Sequence, residues 1–207
     1  HPPPPPERFS TPRGTCLRLK AWPLPTATPQ PPGKALLNLL PLQQDEVITT
    51  ILPLPEDEQT WGNLELMFAT RSGNVRRNSL TDFESINRNG KIAMRLDADD
   101  QLIAVRPATD ESHVLLVSSE GQSVRFKIDD LRDASRTSGG VRGMTLAKGG
   151  YIVGVETIDD GAQLLIISER GFGKRTDINR PDGSYEYPLQ KRGGQGVKTL
   201  NITEKTG

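Results

Sequence analysis

Short runs of apolar and β-branched residues alternate along the chain with turn-forming residues. The runs are bounded by Gly, Pro, Asp, Asn or Ser, which is the pattern of antiparallel strands joined by tight turns. The best helical candidate, residues 128–134, is too short to organise a fold. The pattern therefore predicts an all-β chain, with strands at 35–40, 47–52, 64–70, 92–96, 102–106, 113–119, 141–146, 151–156, 163–168 and 197–202.

The strands recur with a period near 50 residues. Turn glycines separated by 59, 48 and 50 residues mark the repeat: Gly14, Gly73, Gly121 and Gly171. Four positions after each stands an arginine: Arg18, Arg77, Arg125 and Arg175. A second glycine closes the following loop in each copy: Gly33, Gly90, Gly140 and Gly196. About four strands per repeat predict a β-pinwheel or propeller-like array of four-stranded antiparallel blades.

The repeat divides the chain into four predicted blades, at 14–62, 63–110, 111–160 and 161–207, the last one truncated. Residues 1–13 form an irregular proline-rich start in this division. Five consecutive prolines follow His1, and proline supplies no backbone donor, so no strand is expected before Gly14. An open array would expose unpaired strand edges, so we expect about four blades of a larger ring, together forming one partial domain.

The charges balance but are partly segregated. The 207 residues contain 26 Lys and Arg and 26 Asp and Glu, and 34% of residues are hydrophobic. Acidic residues gather in turns such as 97–100 and 159–160. The cations gather near the turn glycines and in the loops after them: Arg18, Lys20, Arg76, Arg77, Arg125, Lys127, Lys174 and Arg175, then Arg142, Lys191 and Arg192.

In a radial array, equivalent cations would form a curved basic belt. Such a belt could hold and bend duplex DNA through its phosphates, independently of base sequence, with glycines allowing close approach to main-chain N–H groups. Two other interpretations stay open. Repeats also duplicate structural arginines, and a basic ring could dock an acidic protein partner.

The sequence offers little support for catalysis. Cys16 is the one cysteine, which fits a buried small side chain in a reducing cytosol. His1 and His113 are the two histidines, so neither a metal centre nor a Ser-His-acid triad is expected. No apolar run is long enough for a membrane span. We expect a cytoplasmic chain with no catalytic residue, metal or cofactor of its own.

Three stretches resemble a known family. Residues 33–42, 139–143 and 171–176 are similar to the C-terminal domain of DNA gyrase A, part of a type IIA topoisomerase, and the resemblance extends over nearly everything from Gly14 onward. It implies a six-bladed β-pinwheel that wraps duplex DNA and supports ATP-dependent negative supercoiling, with these units as the second to fifth blades. It also implies gyrase B and a second copy of gyrase A as partners, ATP and Mg²⁺ used elsewhere in the enzyme, and a bacterial, nucleoid-associated location. The C-terminal domain of topoisomerase IV and a propeller-type interaction module are the alternatives.

One loop is similar to the hallmark box of that family. Residues 190–196 read Gln-Lys-Arg-Gly-Gly-Gln-Gly, whereas the family's box ends in a cation and a glycine and belongs to the first blade. Here the loop falls in a later blade, and Gln195 replaces the last cation. The sequence leaves open whether this loop has the wrapping role of the box.

Overall fold

The computed structural model describes residues 6–20, 49–54, 57–86, 90–158, 162–184 and 186–205. Short 3₁₀ turns occur at Glu58–Asn63, Leu80–Phe83 and Ile128–Asp130. The strands are β1 (Pro6–Ser10), β2 (Thr15–Lys20), β3 (Thr50–Pro53), β4 (Glu65–Thr70), β5 (Asn74–Ser79), β6 (Lys91–Ile92), β7 (Leu102–Ala108), β8 (His113–Ser118), β9 (Gln122–Lys127), β10 (Val141–Arg142), β11 (Ile152–Ile158), β12 (Gln163–Ile167), β13 (Gly173–Asp177) and β14 (Val197–Lys198).

Within the described residues, the strands form three four-stranded antiparallel sheets and one two-stranded sheet. The orders are β3-β1-β2-β6, β10-β5-β4-β7, β11-β8-β9-β14 and β12-β13. Each four-stranded sheet contains a hairpin, an outer strand that follows it in sequence, and a short strand supplied by the next unit. This arrangement confirms the predicted all-β architecture of antiparallel blades. It also interlocks consecutive units, because β6, β10 and β14 each pair with the sheet of the unit before.

The hydrophobic core lies between consecutive sheets. One cluster joins Met67 and Val75 of the second sheet to Leu116 and Phe126 of the third. In β4 and β8 five of six residues are buried, because both faces of these sheets are covered. In β12 the pattern alternates between half-buried and exposed residues. Burial on two faces explains why β4 and β8 read as nearly continuous apolar runs.

The start of the chain differs from the prediction. We expected no strand before Gly14, yet β1 pairs with both β2 and β3. Pro6 is the first residue of β1, a position where the missing N–H of proline is tolerated. The proline-rich start therefore leads directly into the central strand of the first sheet. The predicted strand at 35–40 lies outside the described residues.

Other differences concern the basic segments and the short strands. Strands β5, β9 and β13 carry the cations that the sequence suggested for glycine turns, because each turn glycine sits immediately before or close to its strand. The predicted strands at 141–146 and 197–202 each keep only two strand residues. The predicted strand at 92–96 keeps only Ile92, because the observed strand is Lys91–Ile92. The helical candidate at 128–134 contains a single 3₁₀ turn, Ile128–Asp130. Within the described part of the chain, no helix is long and apolar enough to cross a membrane.

Candidate nucleic-acid interface

The repeated turn glycines join each unit to the next. The Gly73 carbonyl accepts hydrogen bonds from the backbone N–H groups of Gly143 and Met144, at 2.8 and 3.3 Å. The Gly121 carbonyl accepts the equivalent pair from Thr199 and Leu200, at 2.7 and 3.2 Å. These turns are covered by the following unit. They are therefore junctions within the protein, and the expectation that these two glycines open the chain to a phosphate is wrong.

Arg125 is a buried junction residue. It is 1% exposed, and its guanidinium donates to the Nδ1 atom of His113, at 2.6 and 3.1 Å, and to the backbone oxygen of Tyr187, at 3.2 Å. The backbone oxygen of Arg125 accepts the N–H of Gln190 at 2.7 Å. Because this side chain is enclosed between two units, its assignment to a DNA-binding surface is corrected.

Arg77 occupies the same place one unit earlier, surrounded by carboxylates. Its side chain is 13% exposed and lies 2.9 Å from Glu65, 3.1 Å from both Asp110 and Asp129, and 3.2 Å from Asp133. Burial disfavours its charge, but these carboxylates, Glu65 first, raise the pKa of Arg77 above its usual value. Burial also raises the pKa of Glu65, an effect that Arg77 opposes. The charge of Arg77 is thus neutralised within the protein, so the assignment of Arg77 to the basic belt is also corrected.

Arg76 lies in the core between the first two sheets. It is 1% exposed and donates to Asn78 Oδ1 at 2.5 Å and to the backbone oxygens of Arg136 and Ser138, at 2.8 and 2.7 Å. It also donates to the backbone oxygen of Ala93. Burial lowers the pKa of Arg76 to about 10. A guanidinium whose donors point at internal oxygens cannot reach a phosphate on the surface.

The remaining hairpin cations have different positions. Lys127 and Arg175 are exposed, and Lys174 is half-exposed with its Nζ atom 3.7 Å from a Glu186 carboxylate. The side chains of Arg18 and Lys20 lie outside the described residues, although both belong to β2. The four arginines in register therefore do not form one exposed arc.

Two loops that follow the hairpins carry five exposed cations: Arg132, Arg142, Lys191, Arg192 and Lys198. We define the loop track as residues 132–145 and 190–198. Its first loop docks on the unit before it, since the backbone N–H of Arg95 donates to the Ser138 oxygen at 3.2 Å and Arg136 donates to the Ile92 oxygen. Its second loop docks in the same way on the first, since the N–H of Thr145 donates to the Gly194 oxygen at 2.9 Å. The two loops are therefore consecutive and in contact.

Three predicted cations lie in the loop track: Arg142, Lys191 and Arg192. Arg192 donates to the backbone oxygens of Arg142 and Asp130, both at 3.2 Å, which places its guanidinium beside Arg142. Lys191 is the adjacent residue, and all three side chains are exposed. Among the described residues, no carboxylate lies within 4.0 Å of the charged atoms of Arg142, Lys191 or Arg192. Their charges are thus available to an external anion.

The separation of acids from cations is incomplete. A cleft of about 580 Å³ beside the loop track is lined by Arg132 and Arg192 but also by Asp130 and Asp133. Asp110, expected on an acidic surface, lies against Arg77.

The sequence also missed Thr145, whose hydroxyl donates to the Gly193 oxygen at 2.7 Å. A lone threonine after a two-residue strand gave no signal.

Interlocked four-stranded antiparallel sheets with a basic loop track define a β-propeller domain of the pinwheel type. The sequence matches the family described as DNA gyrase C-terminal domain, beta-propeller, over residues 64–109, 112–159 and 162–207. This chain belongs to that family.

Two curated relatives are DNA gyrase A proteins. That of Rickettsia bellii (strain RML369-C) is 37% identical over 243 residues, covering 94% of this chain and 26% of the relative. That of Staphylococcus epidermidis (strain ATCC 12228 / FDA PCI 1200) is 37% identical over 203 residues, covering 96% and 22%. The chain thus spans about a quarter of the length of these relatives.

Solved structures share the fold. A DNA gyrase A C-terminal domain superposes with a TM-score of 0.78 at 25% identity, covering 98% of this chain and 62% of that one. The C-terminal domain of DNA topoisomerase IV gives a TM-score of 0.82 at 23% identity, covering 96% and 59%. At that identity the second likeness shows the fold alone. The sequence relatives favour gyrase over topoisomerase IV.

Proposed function

We propose that this chain binds duplex DNA through the loop track, independently of base sequence, and wraps it. The observation that carries the proposal is the docking of two consecutive basic loops, one on the other, through main-chain hydrogen bonds. Backbone docking fixes the spacing of Arg142, Lys191 and Arg192 without using up their charges. A line of fixed cations complements the regular phosphates of a duplex.

The remaining exposed cations extend the proposed contact. Lys127, Lys174 and Arg175 would add phosphate contacts beyond the loop track, and Arg18 and Lys20 remain in the proposal as cations of β2. Arg76, Arg77 and Arg125 are not included, because they support the junctions between units. Contacts spread over several units of a curved array would bend the duplex.

In the whole protein, this binding would serve DNA gyrase. The chain itself would supply no catalytic step, and DNA cleavage and ATP hydrolysis, with Mg²⁺, would take place in other parts of the enzyme. Its partners would be gyrase B and a second copy of gyrase A, in the bacterial cytoplasm and associated with the nucleoid. Wrapping would present a DNA segment for strand passage and so support negative supercoiling.

The first test is the salt dependence of duplex binding. Fluorescence anisotropy on two duplexes of unrelated sequence should give similar affinities and a steep decrease with salt. Arg142→Gln, Lys191→Gln and Arg192→Gln together should reduce the slope of log K against log salt by about 2.7, from about 0.9 per phosphate contact. The matched control removes three exposed or half-exposed cations outside the loop track, by Arg106→Gln, Arg170→Gln and Lys205→Gln, and should change the slope much less.

The second test separates wrapping from binding. Closed circular DNA relaxed by a type I topoisomerase in the presence of the chain should change its linking number, because a wrapped duplex carries writhe. The loop-track variant should produce a smaller change at equal occupancy. Binding of wild-type affinity by that variant would refute the proposed surface, and binding with no change in linking number would refute wrapping.

A further inference from the structure

Thr145 makes two hydrogen bonds to the second loop of the loop track. Its hydroxyl donates to the Gly193 oxygen at 2.7 Å and its backbone N–H to the Gly194 oxygen at 2.9 Å. The N–H of Gly193 in turn donates to the Gly143 oxygen at 2.6 Å. Residues 143 and 145 of the first loop therefore hold residues 193 and 194 of the second loop, which come immediately after Lys191 and Arg192.

The hydroxyl contact distinguishes this loop from the equivalent loop one unit earlier. There Arg95 takes the place of Thr145, and its backbone N–H donates to the Ser138 oxygen at 3.2 Å. The earlier loop has Thr137 and Ser138 where this loop has Gly193 and Gly194. Glycine loses more conformational freedom on ordering than any other residue. The earlier loop is held by Arg76, whose guanidinium donates to the backbone oxygens of Arg136 and Ser138 at 2.8 and 2.7 Å. The next unit has Val124 in the place of Arg76, so its glycine-containing loop depends on the Thr145 hydroxyl instead.

We propose that Thr145 is a positioning residue for DNA binding, holding Lys191 and Arg192 where they meet the phosphates. This inference rests on the proposed function. Without the hydroxyl, the loop would sample more conformations before binding, and ordering it would reduce the affinity. Arg192 keeps its hydrogen bonds to the backbone oxygens of Asp130 and Arg142. The loss of loop order would therefore fall mainly on Lys191 and on the glycines at 193 and 194.

The test compares variants that keep or remove the hydroxyl. Thr145→Val preserves the shape and removes the donor, whereas Thr145→Ser keeps the donor. The valine variant should bind duplex DNA about fivefold more weakly, as expected for one net hydrogen bond, with the salt slope reduced by about one phosphate contact. The serine variant should bind like the wild type. Thr145→Ala provides a second loss of the hydroxyl should the valine variant fold poorly.

Thr157→Val is the matched control. The Thr157 hydroxyl donates to the Pro107 oxygen at 2.8 Å and also links consecutive units, but on the outer strands β11 and β7. This variant should leave both affinity and salt slope unchanged. A general weakening of the junctions would instead affect both valine variants alike, which would contradict a positioning role for Thr145.

A double-mutant cycle separates failure of the inference from failure of the proposed function. In a Lys191→Gln and Arg192→Gln background, Thr145→Val should cause little further loss, because it acts through those two cations. Wild-type affinity and slope in Thr145→Val would overturn the inference. Wild-type affinity in the Lys191→Gln and Arg192→Gln protein would instead overturn the proposed binding surface.

Discussion

The guanidinium of Arg125 donates a 3.2 Å hydrogen bond to the backbone oxygen of Tyr187, 62 positions further along the chain. One residue of a repeated hairpin thus holds the loop of the following unit. Arg77 holds the loop of its following unit through an ion pair with Asp133. The backbones of Arg77 and Asp133 also form an isolated parallel β-bridge. The arginine four residues after each turn glycine is therefore a junction residue in the second and third units.

The first prediction concerns this junction. Arg125→Met should lower the free energy of unfolding by about 3 kcal/mol, because it removes a buried charge whose partners lose their donors. Arg175→Met is the control, since Arg175 has the same repeat position but is exposed, and it should change stability by less than about 0.5 kcal/mol. Urea denaturation measures both. Equal losses would contradict a junction role specific to the buried site.

The second prediction compares two turn glycines with left-handed backbones. Gly121 and Gly171 have φ values of 74° and 81°. A Cβ atom on Gly121 would lie 2.1 Å from the Leu200 oxygen, whereas one on Gly171 meets nothing within 4 Å. Gly171→Ala should therefore cost about 1 kcal/mol, from the backbone conformation alone. Gly121→Ala should cost clearly more, since it must also displace the next unit. Thermal or urea denaturation of the two variants measures the difference.

The third prediction concerns the carboxylates around Arg77. Arg77→Gln should lower the free energy of unfolding by about 2 kcal/mol at neutral pH, because the carboxylates lose their shared cation. Without Arg77, the already raised pKa of Glu65 should rise further. A raised carboxyl pKa gives stability that is present at low pH and lost as pH rises through it. The deficit of the variant should thus shrink on acidification.

Denaturation of wild type and variant at neutral pH and near pH ~4, about the usual carboxyl pKa, tests this sign. Arg106→Gln is the comparison, since Arg106 pairs with Glu156 on the surface at 3.2 Å. A surface pair of this kind contributes about 0–1 kcal/mol. A deficit in Arg77→Gln that grows on acidification would refute the interpretation.

The fourth prediction concerns Asp100, which supports the turn before β5. Its carboxylate accepts from the Ser72 hydroxyl at 2.5 Å and from the N–H groups of Ser72 and Gln101, both at 2.9 Å. Partial burial favours the neutral form, but these hydrogen bonds, that of the Ser72 hydroxyl first, lower the pKa of Asp100. The stability it contributes is therefore present at neutral pH and lost on acidification through the lowered pKa.

Asp100→Asn should lower the free energy of unfolding by about 1 kcal/mol at neutral pH. The difference from wild type should shrink as the pH falls below about 3.9, the usual Asp value. Asp99→Asn, in the same turn and exposed, should have little effect at either pH. A constant difference across this range would show that the carboxylate charge is not involved.

Much of the fold follows from local sequence. Runs of β-branched and aliphatic residues predicted the long strands β4, β7, β8, β11 and β12 close to their observed bounds. The repeated glycines predicted the hairpins. Basic strands such as β13 (Gly173–Asp177) were not predicted, because their pairing depends on the neighbouring strand and not on apolar content. The two-residue strands were predicted too long, because a bridge to another unit leaves no periodic pattern.

The sequence predicted where the cations lie in the repeat, but not which of them are exposed. Arg142, Lys191 and Arg192 are exposed as the basic belt required, whereas Arg76 and Arg125 are buried. Sequence spacing cannot separate these cases, because each charge belongs to a turn or loop of the same repeat. Exposure depends on which unit covers the hairpin, and that is a long-range contact.

By itself, the sequence determined the all-β class, the repeat and the family resemblance, since these depend on local periodicity and residue identity. Only the tertiary structure decided which repeated arginines neutralise internal partners and which leave their charge for a ligand. The reason is that burial and ion pairing arise between units, from residues 56 to 62 positions apart such as Arg77 and Asp133 or Arg125 and Tyr187.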